Sequence, residues 1–240
     1  MWAFNVAVAV LAAESTLLST AQKLPARDPR IHFLFLAADG INNWPVWQAF
    51  FQGGKQEQYR ALAHCSGTCK PTEGLTVIPS TRSWWCSDLV SPMVHLLTEA
   101  VKDSSEKDKF AFVSYQALPV KPFPEVYRTL LQRESSDFCT FEPNTWRFMQ
   151  SGGKLQVHVK AHQWSVLNAQ HAQTAVKVYW SKDWNSRHLA KNLGGCLDEW
   201  WFMAAIFGPR EPGPDGRALN FTGLSGSPLT IAKDIVQFQG

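Results

Sequence analysis

Seven consecutive residues, Ile31-His32-Phe33-Leu34-Phe35-Leu36-Ala37, hold a single polar side chain among them, and this run constrains the fold more than any other stretch. A strand with one face in water alternates apolar and polar residues. An unbroken apolar run of strand length therefore predicts burial on both faces, as in a parallel sheet covered by helices. Asp39-Gly40 ends the run, and a helix is expected from about Asn43 to Phe51 with Pro45 in its first turn, where the missing N–H is not needed.

The rest of the chain continues the alternation. Strands are expected at Tyr59–His64, Leu75–Ile78, Phe110–Ser114, Asp137–Phe141 and Ala161–Leu167. Helices are expected at Ser87–Val101, at Pro124–Leu131, at Ala169–Tyr179 and at Leu197–Phe207. Between strand and helix, Pro119 and Pro122 force an extended course from Ala117 to Pro122. Parallel strands need crossover connections, so this order predicts one α/β domain over residues 30–208, a mostly parallel central sheet flanked by helices. Residues 209–240, with Pro209, Pro212, Pro214, Gly213 and Gly216, read as a loop-rich C-terminal segment.

Composition narrows the function by exclusion. Twenty-three basic against 20 acidic residues give a net charge of +3, too slight to predict nucleic acid or an anionic membrane as partner. No Gly-rich phosphate loop, Gly-x-Ser-x-Gly elbow or His-Glu-x-x-His pair is present, which removes the usual support for dinucleotide chemistry, serine hydrolysis and zinc proteolysis. Eleven tryptophans must be packed inside or line surfaces that stack on flat apolar faces, such as sugar rings or bases.

Residues 1–22 carry one charge, Glu14, and an apolar stretch from Trp2 to Ala13. This segment reads as a secretory signal peptide, with a frayed N-terminal helix as the alternative; for a membrane span it is short and interrupted by polar residues. The sequon Asn220-Phe221-Thr222 is usable only in a secretory lumen. The five cysteines, Cys65, Cys69, Cys86, Cys139 and Cys196, leave at least one thiol free within a monomer. In an oxidising compartment Cys65 and Cys69 can close a small disulfide, whereas a zinc site would need a second close Cys/His pair that the sequence lacks.

The chemistry concentrates in a few places. Asp198 and Glu199 stand at the mouth of the aromatic helix Leu197–Phe207, where flanking tryptophans would raise a carboxyl pKa and suit it to general-base work. Offsetting the helix dipole and capping free N–H groups is the competing role for such a pair. Ligands in open α/β sheets bind beyond the carboxyl ends of the strands, which directs attention to Asp39, His64 and the corner Ser114-Tyr115-Gln116. Asp39 either contacts a ligand or caps its turn, and His64 reads as a satisfied strand-end histidine. Trp84, Trp85 and Trp164 are either walls of a sugar or nucleotide pocket or packing between sheet and helices, and Gln163 is a strand residue able to hydrogen-bond at an edge.

Five segments in collinear order resemble the core-2/I-branching N-acetylglucosaminyltransferase family, glycosyltransferase family 14, which includes peptide xylosyltransferases. They are Ile31–Ala37 with Trp47-Gln48-Ala49-Phe50-Phe51; Ile78-Pro79-Ser80-Thr81-Arg82-Ser83-Trp84-Trp85; Phe112–Lys121; His162-Gln163-Trp164-Ser165-Val166-Leu167 with His171-Ala172; and Cys196-Leu197-Asp198-Glu199. The likeness spans Arg30 to Phe207, about three quarters of the chain.

This resemblance implies a GT-A-like fold and inverting transfer of a sugar, N-acetylglucosamine or xylose, from a UDP-sugar donor to a hydroxyl of a glycan or glycoprotein acceptor. It makes Glu199 the catalytic base and Asp39, Trp84, Trp85, Ser114, Gln116, Gln163, Trp164 and Asp198 the substrate-binding set. No cofactor and no metal are expected, because Ala117 stands where relatives often carry a metal-binding Asp. A Golgi or ER lumen location is implied, with membrane association left open. The family's C-terminal basic residues, which neutralise the donor diphosphate, have no match, since Arg210, Arg217 and Lys233 are the only basic residues after Phe207 and none sits in a copy of the motif. An inactive carbohydrate- or nucleotide-binding domain of the same descent is the alternative.

Overall fold

A computed structural model describes residues 27–142, 145–151, 154–181 and 196–207. The expected signal segment 1–22, the sequon and the loop-rich segment 209–240 lie outside the described residues. A five-stranded sheet forms the centre, ordered β3-β2-β1-β4-β7, from β1 (Ile31–Ala37), β2 (Tyr59–Cys65), β3 (Thr76–Val77), β4 (Lys109–Ser114) and β7 (Val166–Asn168). The first four run parallel and β7 is antiparallel to β4. This is the mostly parallel sheet flanked by helices that the sequence predicts, consistent with a GT-A-like domain. The run 31–37 is central and buried at every position. Its His32 is accommodated because it bonds to a buried carboxylate, Asp108.

Each face of the sheet has its own core. On one side α1 (Trp44–Phe51) places Trp44, Trp47, Phe50 and Phe51 against Phe33 and Phe35 of β1, joined by α3 (Phe123–Leu131) through Phe123, Val126 and Leu130. Trp47 meets Phe33 and Phe35 at centroid separations of 5.8 and 5.0 Å, and its indole N–H donates to the Ala117 carbonyl at 3.0 Å. Truncation of such an aromatic to Ala costs about 3–5 kcal/mol. On the other side α2 (Val90–Ala100), α4 (Ala169–Trp180) and α5 (Asp198–Phe207) bury Met93, Leu97, Ala172, Trp201 and Phe202 against Leu34, Leu36 and Phe112. Pro92 falls in the first turn of α2, where Asp88 accepts from the Ser91 N–H and hydroxyl.

Three expectations are corrected. Asp137–Phe141 is not a strand: only Asp137 and Thr140 make single bridges, to Val166 and Ala161. The strand expected from Ala161 begins at Val166, because the Ser165 N–H turns back onto the Gln163 carbonyl and takes Gln163 and Trp164 out of the ladder. An antiparallel hairpin of β5 (Arg147–Ser151) and β6 (Lys154–His158), absent from the sequence reading, lies apart from the main sheet.

Candidate functional site

At the carboxyl edge of β1, β2 and β4 a cavity of about 340 Å³ opens, within the range of ligand-binding clefts. It is lined by Leu36, Ala37 and Ala38 from β1 and its turn, His64 and Ser66 at the end of β2, Ser83, Trp85, Leu89 and Pro92 before and in α2, Ser114, Tyr115 and Gln116 at the end of β4, and Gln163 with Trp164. Five residues expected to bind substrate, Trp85, Ser114, Gln116, Gln163 and Trp164, are therefore brought together from three separate loops. Ser114 and Gln116 reach the cavity at the carboxyl end of β4, and Trp85 from the segment between β3 and α2. Gln163 and Trp164 come from the segment entering β7, which is antiparallel and so begins at that same edge. A larger cavity, about 640 Å³, lies at the amino end among Lys109, Arg133, Glu134 and Asn168. Its buried Lys109 already donates to the Ser135 carbonyl at 2.6 Å and Arg133 pairs with Asp137, so the carboxyl-end cavity is the better candidate.

The walls are rigidly built. The Tyr115 N–H donates to the Leu36 carbonyl and the Ala117 N–H to the Ser114 carbonyl, so the β4 corner is fixed to β1. Ser114 is buried and Gln116 exposed. His64 Nε2 accepts the Thr81 N–H at 2.9 Å, and burial lowers the imidazole pKa. It is thus a neutral, satisfied strand-end histidine that also lines the cavity. Trp164 does two jobs, packing on the core while facing the cavity.

Glu199 lies beside this cavity, not in its lining. Two links bracket the first turn of α5. Cys196 is bonded to Cys86, the neighbour of Trp85, and the Ala161 N–H, two residues before Gln163, donates to the Glu199 carbonyl at 2.8 Å. The Glu199 carboxylate pairs with Lys160 Nζ at 3.0 Å, and that ammonium lies 4.5 Å from the Phe141 ring centroid.

Asp198 differs from expectation. Its side chain does not cap the helix: it is 2% exposed, and neither oxygen has a hydrogen-bond partner among the described residues. Burial raises its pKa to about 6, with the Glu199 and Asp88 carboxylates adding to the shift. Asp39, two residues beyond β1, is exposed and rests over Gly67, where a Cβ would come within 2.0 Å of its Oδ1. Trp84 also stays out of the lining, 59% exposed with Arg82 over its ring.

Sequence reasoning gave no role to Ser66, Ser83 or Lys160, and pointed to Tyr115 only as part of the β4 corner. Small polar residues in loops give no pattern, and the Lys160–Glu199 pair joins positions 39 apart. Of the cysteines, Cys65–Cys69 forms as foreseen, and Cys139 is free. Among the described residues no cluster of three or more His, Cys, Asp or Glu is placed to hold a metal, and no helix is long and apolar enough to cross a membrane.

No family model matches the chain. Among curated proteins it is similar to glycosyltransferase BC10 of Oryza sativa subsp. japonica, at 26% identity over 168 residues. The match covers 64% of this chain and 42% of that protein, so the chain spans less than half the length of the curated relative. With the cavity at the carboxyl edge of a mostly parallel sheet, this likeness relates the chain to a glycosyltransferase, a coarser relation than the core-2/I-branching subfamily.

Proposed function

We propose that this protein is an inverting glycosyltransferase that moves a sugar, N-acetylglucosamine or xylose, from a UDP-sugar to a hydroxyl of a glycan or glycoprotein. The observation that carries the reading is the cavity in which Trp85, Ser114, Gln116, Gln163 and Trp164 meet, with the first turn of α5 fastened beside it. Glu199 takes the acceptor proton as the acceptor oxygen forms its bond to the anomeric carbon, and the bond from that carbon to the diphosphate breaks, releasing UDP. Lys160, 3.0 Å from the Glu199 carboxylate, fixes the orientation of the proposed base. Asp39, Ser114, Gln116 and Gln163 are the hydrogen-bonding groups offered to the donor, and Trp164 a wall of its pocket. Transfer needs no metal in this proposal, because position 117 puts a buried methyl group where a metal-binding carboxylate would stand.

Two disulfides, Cys65–Cys69 and Cys86–Cys196, support residence in an oxidising lumen of the secretory pathway, Golgi or ER.

Glu199→Gln is the direct test. The amide keeps the shape but accepts no proton, so transfer should fall by about a hundredfold to ten-thousandfold while the dissociation constant for UDP, read by calorimetry, stays the same. Excess EDTA should leave wild-type transfer intact. Normal turnover in the Gln variant would remove Glu199 as base, and loss of transfer on chelation would remove the metal-free reading. UDP binding without transfer to any acceptor would instead indicate a binding domain of the same descent.

A further inference from the structure

We infer that the Trp84-Trp85 corner is the acceptor platform, on which a pyranose ring of the acceptor stacks, chiefly on Trp85. The inference rests on the transferase reading above and assigns these rings to the acceptor and not to the nucleotide.

Exposure is the first observation. Trp44, Trp47, Trp200 and Trp201 are buried, whereas the neighbours Trp84 and Trp85 are 59% and 83% exposed, with Trp85 in the cavity lining. Leaving two indoles in water is unfavourable, and here it does not come from a loose loop. The Trp84 N–H donates to the Asp88 carbonyl at 3.2 Å, and the Asp88 and Ser87 N–H groups donate to the Trp84 carbonyl at 2.9 and 3.1 Å. Cys86 holds the left-handed conformation, φ 63°, that non-glycine residues rarely adopt, and it is fastened to Cys196. The two rings are thus presented on a fixed corner, which lowers the ordering cost of binding.

The surroundings select a sugar. A pyranose has one apolar C–H face and a rim of hydroxyls. Trp85 supplies the apolar surface, and Ser83 and Tyr115 in the adjoining cavity supply donors and acceptors for the rim. A membrane or a protein partner would ask for a wider apolar patch, and the corner is instead bordered by Arg82, Ser83, Ser87 and Asp88. Arg82 already covers one face of Trp84, with its guanidinium carbon 5.5 Å from the ring centroid. Among the described residues no ring or cation stacks on Trp85, so it is the principal platform. The acceptor assignment follows from the disulfide. Cys196 is three residues from Glu199, so a ring stacked on Trp85 stands on the side of the cavity where the base is fastened.

The test uses the full chain with methyl β-galactoside, methyl β-N-acetylglucosaminide and methyl β-xyloside as probes. It is read by saturation-transfer NMR and indole fluorescence, with UDP affinity measured in parallel. Both indoles are exposed, so Trp85→Ala and Trp84→Ala should leave the fold intact. At least one glycoside should receive saturation mainly on the C–H protons of one ring face. Its affinity should fall about tenfold in Trp85→Ala, the size of one stacked aromatic contact, and less in Trp84→Ala, with UDP binding unchanged in both. Equal glycoside affinity in the double variant would overturn the inference. So would UDP binding in the wild type with no glycoside bound. Glycoside binding that depends on Trp85 without any UDP binding would support the platform and sink the transferase reading.

Discussion

Two buried aspartates, one at each end of the central sheet, are treated in opposite ways. At the amino end the Asp108 carboxylate accepts from the Arg27 guanidinium, the Arg30 and Ser105 N–H groups, the Ser105 hydroxyl and His32 Nε2. Those bonds outweigh burial and hold its pKa well below the usual carboxylate range. At the carboxyl end Asp198 is as fully buried, carries no hydrogen bond among the described residues, and has its pKa pushed up to about 6. Burial also lowers the His32 pKa, so this histidine is a neutral donor to Asp108. A saturated carboxylate strengthens the fold where it sits. An unsatisfied one weakens it, and in this chain it stands next to the proposed base. The difference separates a structural end of the molecule from the end where the proposed site lies, called the working end below.

Removing Asp108 should therefore have the largest effect on stability. Asp108→Ala strands His32, the Arg27 guanidinium and two backbone N–H groups, and a loss of about 3 kcal/mol is expected in urea unfolding. Because the folded pKa is depressed, the contribution is present above the ordinary Asp value of 3.8 and is lost as pH falls toward the folded pKa. A variant within 1 kcal/mol of wild type would erase the contrast from the amino-end side.

Asp198→Asn should act in the other direction. The folded pKa is raised from 3.8 to about 6, so the stability tied to the neutral form is complete below pH 3.8 and lost as pH rises through about 6. Asn mimics the neutral acid. The variant should match wild type near pH 4 and exceed it by roughly 1–2 kcal/mol at pH 7.5, measured by unfolding at both values. A constant loss at both would mean that Asp198 makes the capping bond expected of such a residue.

How much of this contrast the sequence carries depends on distance along the chain. The apolar run at β1, the proline-started α1 and the α2 face are local patterns, and they appear where the periodicity puts them. The Asp108 network and the Cys86–Cys196 bond join positions 76 to 110 apart, and no spacing rule reveals partners at that range. The β5–β6 hairpin was legible in principle. Gly152-Gly153 between two short runs is a turn signal, but long apolar runs draw attention first. Glu199, Trp85 and Gln163 were legible as candidates by residue type and neighbours, the motif resemblance gave them roles, and Lys160 came only from the fold.

Lys160→Met tests that last residue at the working end. Both members of the pair are partly exposed, 25% and 21%, so solvent screens them and the pair is worth about 0.2–1 kcal/mol. Losing the cation should lower kcat/KM by up to about fivefold, the kinetic equivalent of that energy, with Lys160→Arg restoring it. A Lys160→Arg variant as slow as Lys160→Met would mean that packing of the lysine stem, and not the ion pair, matters there.

The smallest effect is expected at Gly67, and it decides whether Asp39 belongs to the working end. A methyl at position 67 would come within 2.0 Å of Asp39 Oδ1. Asp39 is exposed and free to swing, so Gly67→Ala should cost less than about 1 kcal/mol of stability, as surface changes do. The carboxylate must nevertheless leave its place over the β2 turn. If its oxygens accept from the nucleotide there, UDP affinity drops roughly threefold, the size of one net hydrogen bond, and Asp39→Asn drops it by a similar factor. The two changes should not add, because each removes the same contact. Unchanged UDP affinity in both variants would make Asp39 a turn residue, and the working end would then begin at Ser66 and the β4 corner.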